Sequence, residues 1–556
     1  MTAPPSDPHR VAIDRLRWRP PRSWAQPAVD ASWPTALLGQ EDLRAELALL
    51  LATRGHLVVA VPESVDWAEA VGRALRSLQG DGDAPVVVAA PATARSLRGT
   101  DGPGQLAQAH GGFLVLDARD LVGNEGAWAA LSEGLRARQS TPESESGLAS
   151  PQPTRFATVL LSPESALSKL KEQEPLITAL FRRGLTVAGD RPRTREGAMA
   201  LLGQLAARGG LDGVPANAAG WLLEEAATSV RRDRLALDTD ALREIVFEAR
   251  LGRPAGALER RHLRAAAARI AERRGFGEQA HRGRLERGQI RVATEGALVG
   301  VVNGLMVYGG TKQPYAVPGR ITARTAVGRE GIVNVEREAK FSGRSYDKGV
   351  LQLHSFLRGT FAQDTPLSLV AGITFEQSYG KVDGDSATLA KALAVLSDLS
   401  DLPVRQSLAI TGGINPRGEV LPVGSVTLKA VGWWRTCRDR GLTGEQGFVL
   451  PSRSTPDLQL PEELLSDVRA GRFAVWEVDH IDEAVQLMFG KPAGRQDKGF
   501  APGSVYAAVG RRLDEMGARL YPKRAATKEP GKEPAKTTKK AKTAPKAAAP
   551  GDTPKS

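Results

Sequence analysis

The spacing of apolar positions divides the chain into stretches of different character. Residues 1–30 are rich in Pro and Arg, keep no sustained period, and predict an extended arm. From Leu37 the pattern turns globular. LLGQEDLRAELALLL sets Leu43, Leu47, Leu50 and Leu51 at helical spacing, HLVVAVP reads as a short buried strand, WAEAVGRALRSL as a helix and APVVVAA as a second strand. GGFLVLDARDL has the form of an apolar strand ending in an acidic residue, residues 139–154 (QSTPESESGLASPQPT) read as a flexible loop, and RFATVLLS as the next strand. Strands alternating with helices predict an α/β layer with a mainly parallel sheet over residues 31–194. Residues 195–274, rich in Ala, Leu, Glu and Arg and without strand signals, predict a helical subdomain. From about Leu298 β-branched runs (LVGVVNGLMVY, GIVNVERE, LSLVAGITF, SLAIT, GFVLP, FAVWEV) appear between two strong helices, and the segment VLQLHSF around His354 reads as an apolar strand. These predict an α+β domain over 275–495, with a C-terminal helix over 496–520. The fold class expected is therefore multi-domain, α/β followed by α+β.

Composition narrows this picture. A chain of 556 residues is too long for one compact domain, and 41% hydrophobic with 25% charged residues is ordinary for a globular protein. Aromatic residues are only 5%, so the cores must rest on Leu, Val and Ala. The single cysteine, Cys437, excludes an internal disulfide and a Cys-rich zinc site and fits a reducing compartment. No apolar run approaches the ~20 residues that cross a bilayer, and the N-terminal residues show no apolar export core. A cytoplasmic protein without membrane contact is expected. The net charge of +12 suggests an anionic partner, but ten Lys or Arg against three acidic residues in 521–556 hold +7 of it, leaving +5 for residues 1–520. That segment is Lys/Pro/Ala/Thr-rich without apolar period and reads as a disordered basic tail. It could adhere weakly to nucleic acid or serve only to solubilise the chain.

The candidate chemistry lies in FEQSYGKVDGDSATLAKALAVLSDLSDLPVRQSLAITGGINPRGEVLPVGSVTLKAVGWWRTC (375–437). Residues 382–385 (VDGD) read as a turn, after which Ser386 is expected to open a helix striped by Leu389, Leu393 and Leu396. A serine there is commonly just an N-cap. The same helix start also offers unpaired N–H groups and a positive potential suited to a developing oxyanion. Val426, Ala430, Trp433, Trp434 and Cys437 form a second helical stripe, and Lys429 falls on that face. Burial disfavours a charged ammonium and would ready Lys429 as a general base; snorkelling to the surface would leave it inert. None of the seven histidines sits beside this motif, and no metal-ligand spacing such as H-E-x-x-H occurs. Neither a His-containing triad nor a metal centre is expected.

From about residue 296 to 490 the chain resembles the peptidase domain of Lon proteases. The residues that carry the likeness are VGVVNGLMV (299–307), PGRITA (318–323), FEQSYGKVDGDSAT (375–388), ITGGINPRGEVLPVG (410–424) and Lys429, and the Gly-Asp-Ser-Ala form around the serine resembles the LonB-type branch. The resemblance implies that Ser386 is the nucleophile and Lys429, 43 positions later, the general base of a Ser–Lys dyad. It implies also that Thr411 orients the lysine amine and that Asp385 and Gly384 belong to the loop before the serine. Ser425 stands where a second glycine is usual, Leu428 where a more polar residue precedes the lysine, and Gly413 where a serine or glutamate is found. These departures change the walls of the site and leave the dyad.

The first module resembles that of AAA+ ATPases, particularly the Lon-like branch, in GQEDLRAELALLL, the strand after it, and AHGGFLVLDARDL. Where that family places G-x-x-x-x-G-K-[ST] to cradle phosphates, this chain has AVPESVDWAEAV (60–71), without glycine or lysine and with Glu63 and Asp66. Asp117 could help hold a metal, but Ala118 stands where a water-activating Glu normally follows. The combination implies a degenerate AAA+ module joined to an intact peptidase, similar to the ATP-independent branch called LonC. Expected are hydrolysis of unfolded or loosely folded proteins and peptides, no cofactor, no requirement for ATP, and a homo-hexameric ring. The competing readings are an ATP-dependent Lon protease with a cryptic nucleotide site and a non-catalytic, chaperone-like or DNA-associated scaffold.

Overall fold

The computed structural model describes residues 8–521, except 26–36, 38–39, 63–66, 101, 138, 141–151, 208, 212, 229–232, 237–238, 254, 310–313 and 379. The basic tail from residue 522, together with Glu63 and Asp66, therefore lies outside the described residues. The fold is multi-domain, α/β followed by α+β, as the patterning implied.

The first sheet has five parallel strands, β1 (His56–Ala60), β2 (Val86–Ala89), β3 (Phe113–Asp117), β4 (Ala157–Ser162) and β5 (Arg183–Thr186), in the order β2-β3-β4-β1-β5. Strands β3 and β4 are buried on both faces and accordingly read as continuous apolar runs. Helices α1 (Glu41–Thr53) and α2 (Trp67–Gln79) cover one face, α1 through Leu43, Leu47 and Leu50. The stretch 139–154 is not wholly loop: Gln139–Ser140 pairs with Gln152–Pro153, so its two ends are zipped together. A second departure lies at the border of the helical region. Arg234–Ala236 forms a short antiparallel ladder with Asp190–Pro192, a three-residue strand too short to leave a periodic signal.

The helical subdomain packs α3 (Arg195–Ala207), α4 (Ala216–Ala226), α5 (Thr239–Gly252) and α6 (Arg260–Arg274) around Leu202, Leu222 and Leu263. Residues 8–25 of the arm are not a free extension. Val11 N–H donates to the Val475 carbonyl at 2.9 Å and Glu477 N–H to the His9 carbonyl at 2.8 Å, while Arg17 reaches Glu224 of α4 at 2.7 Å. The anchoring side chains, Val11, Leu16, Trp18 and Trp24, are too far apart to show a period.

The second sheet has seven strands: β6 (Val301–Tyr308), β7 (Tyr315–Val327), β8 (Gly331–Asn334), β9 (Leu369–Phe375), β10 (Leu408–Ile410), β11 (Gly447–Pro451) and β12 (Ala474–Val478). Their order is β8-β9-β7-β6-β10-β11-β12. Strands β7 and β6 run antiparallel, whereas β6, β10, β11 and β12 are mutually parallel. One face carries α8 (Arg344–Phe361), α9 (Thr388–Ser400), α12 (Ile481–Phe489) and α13 (Val505–Leu520). The other carries α10 (Val426–Arg440) and α11 (Glu462–Arg469). Helix α7 (Phe276–Glu286) precedes this domain. The VLQLHSF segment is helical, within α8, and corrects the strand expected there. Tyr346, Val350, Leu353, Phe356 and Leu357 recur at three- and four-residue intervals, a helical period that a seven-residue window hides.

Candidate active site

Two helices on opposite faces of the second sheet meet at the carboxyl end of β10. Alternation along that strand sends Leu408 and Ile410 to the α9 side and Ala409 to the α10 side. Thr411 follows at its tip. Helix α10 lies so close to β7 that a Cβ on Gly432 would stand 2.0 Å from the Ala316 carbonyl oxygen. That glycine lets the lysine-bearing helix press onto the sheet and carries Lys429 inward.

Lys429 is 3% exposed. Its Nζ donates to Thr411 Oγ1 at 3.0 Å, and Thr411 Oγ1–H donates to the Ser386 carbonyl at 3.1 Å. Thr411 thus ties the amine from one face to the serine loop from the other. Burial pushes the Lys429 ammonium down to about 8, and the Asp385 carboxylate pulls it part of the way back. A substantial neutral fraction therefore exists near neutral pH, and an amine that spends an N–H on Thr411 keeps its lone pair for another partner.

Ser386 does not open the helix. Helix α9 begins at Thr388 with Ala387 as its N-cap, so the serine lies two residues earlier in a turn. Asp385 determines this, because its carbonyl accepts both Thr388 N–H at 2.9 Å and Thr388 Oγ1–H at 2.6 Å. The N-cap expectation for Ser386 fails for the same reason. The turn frees the N–H groups of Ser386 and Ala387, which donate to no acceptor among the described residues. Gly384 has φ +96°, a left-handed conformation that needs glycine. Leu389 N–H to the Gly412 carbonyl (3.0 Å) and Gly412 N–H to the Ser386 carbonyl (2.7 Å) stitch this turn to the strand end that carries Thr411.

Ser386 and Lys429 line one cavity of ≈ 410 Å³, with Asp385 and Gly384 beside them. Leu305, Met306, Tyr346, Phe375 and Val423 supply most of its apolar wall. No direct hydrogen bond joins Ser386 to Lys429 in this state. Three residues take roles that the sequence reading did not assign. Asp383 Oδ1 accepts N–H bonds from Gly384, Ser345 and Tyr346, at 2.8, 3.1 and 3.1 Å, which holds its carboxyl below the usual range and pins the serine loop to the start of α8. The signal was present: α8 starts from Gly343, which has no side chain to cap it. Tyr346 was not singled out in the sequence, and Phe375 only as the first residue of the motif 375–388.

In the first module β1 leads toward α2, and residues 63–66 between them lie outside the described residues. Trp67 leads α2, its ring buried, and its Nε1–H donates to the Pro62 carbonyl at 3.0 Å. Asp117, at the end of β3, takes Arg119 N–H at 2.7 Å and Arg119 Nη2 at 2.6 Å, so both its oxygens are engaged by one arginine. Among the described residues no three His, Cys, Asp or Glu side chains gather as metal ligands, and no helix is long and apolar enough to cross a membrane.

Residues 376–490 match the family model of the Lon protease (S16) C-terminal proteolytic domain, a span holding both Ser386 and Lys429, and residues 83–183 match the LonB-like AAA domain. A Lon protease homolog of Escherichia coli (strain K12) is 35% identical over 218 residues, 39% of this chain and 37% of that protein. Its counterpart in Haemophilus influenzae is 37% identical over 214 residues, 38% and 36% of the two chains. The archaeal Lon protease of Pyrococcus abyssi is 30% identical over 196 residues, 35% of this chain and 18% of that one. The match thus spans little more than a third of the two bacterial proteins and under a fifth of the archaeal one.

Proposed function

We propose that this Lon-type chain is a serine endopeptidase in which Ser386 is the nucleophile and Lys429 the general base, acting on unfolded or loosely folded polypeptides without ATP. The observation that carries the reading is a buried lysine amine, held by Thr411 and brought down to about 8, lining the same cavity as a serine with free N–H groups around it. Neutral Lys429 takes the Ser386 Oγ proton as Oγ attacks the peptide carbonyl. The N–H groups of Ser386 and Ala387 face the developing oxyanion. Lys429 then gives the proton to the leaving amine, takes another from the water that attacks the acyl-enzyme, and returns it to Ser386.

Independence from ATP is supported by the arginine-occupied Asp117 and the absence of the glycine and lysine that cradle phosphates. A first module that cannot burn nucleotide serves here as collar and sieve. Assembly as a homo-hexamer belongs to the same proposal. The test is digestion of unfolded casein with and without Mg-ATP, with Ser386→Ala as control. Equal rates in both conditions and none in the variant are expected; hydrolysis only with Mg-ATP would overturn the ATP-independent reading, and activity in the variant would overturn the serine assignment.

A further inference from the structure

Helix α9 is buried around nearly its whole circumference from Thr388 to Ser397, and that surface includes a second lysine, Lys391, 2% exposed. A lysine on such a helix keeps little of its ammonium's hydration, and an isolated charge so enclosed is unfavourable. Its Nζ makes no hydrogen bond among the described residues and lies 3.2 Å from the centre of the Tyr346 ring. Tyr346 is held at two further points. Tyr346 Oη–H donates to Glu336 Oε2 at 2.8 Å, and Tyr346 N–H donates to Asp383 Oδ1 at 3.1 Å. Glu336, itself buried, accepts Phe375 N–H at 2.7 Å and Thr374 Oγ1–H at 3.0 Å through its other oxygen.

One aromatic ring therefore separates a buried cation from a buried anion, and Tyr346 and Phe375 both wall the cavity that holds Ser386. The second nearby carboxylate, Asp347, is engaged by Asn334 at 3.2 Å. Burial lowers the Lys391 ammonium to about 7, with Glu336 and Asp347 opposing the shift, so near neutral pH the cation and the neutral amine both occupy this place on the ring. The proposed dyad chemistry uses none of these groups.

We propose that Lys391 is a positioning residue for hydrolysis: pressed on the Tyr346 face and balanced by Glu336, it locks the start of α8 against the start of α9 and so holds the Asp383–Ser386 turn in its attacking geometry. This rests on the dyad reading above. The attraction of a cation to the face of a ring strengthens where both are desolvated, and a charge pair split by a ring fixes that ring's plane as apolar packing alone does not.

Lys391→Met tests it, because methionine keeps much of the side-chain length and removes the charge. Turnover of a fluorogenic peptide well below the melting temperature should show kcat at least tenfold lower, KM within twofold, and a melting temperature equal to or above that of the parent. Tyr346→Phe, which removes only the Glu336 bond, should lower kcat at least threefold with KM unchanged. A kcat within twofold of the parent in Lys391→Met overturns the proposal. Should Lys391→Met not fold, an unchanged kcat in Tyr346→Phe overturns it. Ser386→Ala run alongside separates the two readings: hydrolysis surviving in Ser386→Ala removes the dyad, whereas its loss there beside normal turnover in Lys391→Met removes only the positioning role.

Discussion

Two strand–loop–helix junctions in this chain share a topology and differ in what they present. In the first module β1 runs through a loop into α2; in the second β9 runs through a loop into α9. Both leave a strand's carboxyl end and enter a helix, the arrangement in which open α/β layers place ligands. At the first junction Trp67 closes onto Pro62, and across the sheet Asp117 is neutralised by Arg119. At the second, the turn opens at Gly384, pushes Ser386 clear of the helix, and lets a buried lysine approach from the other face. A layer keeps its shape through burial of β-strands and helix stripes, while chemistry rests on a few loop groups that can be lost without disturbing the core.

The comparison breaks most visibly at Lys429. Lys429→Arg keeps the charge but cannot give up its proton, and peptide turnover is expected to fall by at least about a thousandfold. Lys429→Met should be equally inactive and yet harder to unfold. The Lys429 ammonium sits at about 8 in the fold, below the unfolded value, so below pH 8 the fold bears the full penalty of burying the charge, and that penalty fades as pH rises toward the unfolded pKa. Its removal is worth on the order of 3 kcal/mol at neutral pH, measurable by urea denaturation. Thr411→Val, which leaves the amine without its acceptor, should lower kcat roughly 10- to 100-fold, by analogy with other lost orienting contacts. The first junction is tested by melting with Mg-ATP. A shift below about 1 °C is expected, whereas ligand at a hundred times its Kd would stabilise a functional site by about 2.7 kcal/mol, several degrees in this module. The smallest effect belongs to Ser425, which caps α10 at φ +59°, a conformation suited to glycine. Ser425→Gly should stabilise the fold by about 0.5–1 kcal/mol with kcat within twofold.

The sequence was most legible where burial is two-sided and the period strong. The runs HLVVA, FLVLD and ATVLLS announced the first sheet, whereas Ser386 and Lys429, which line one cavity, were paired beforehand only by the resemblance to the Lon peptidase domain. Less legible were features that depend on distant partners. The arm from His9 to Trp24 looked structureless because its order comes from distant partners, an edge strand more than 460 positions away and helix α4 about 200 positions away. The helix holding His354 was hidden because the seven-residue window covers only about two turns of a stripe that runs from Tyr346 to Leu357. Ser386 was placed two residues too deep because its turn is fixed by Asp385 bonding forward to Thr388, a competition between side chain, backbone and helix that composition does not record. The joining of Lys391, Tyr346 and Glu336 needs three elements brought together and leaves no trace in any one of them.

The central claim is that an uncharged Lys429 activates Ser386 without nucleotide. The most direct test is the pH dependence of Ser386 acylation by a fluorogenic peptide, followed in the pre-steady state from pH 6 to 9.5 in the absence of ATP. The account predicts a rate that climbs close to tenfold per pH unit at the acid end and levels off above about 8, where the amine has lost its proton. A rate independent of pH across that interval would contradict it.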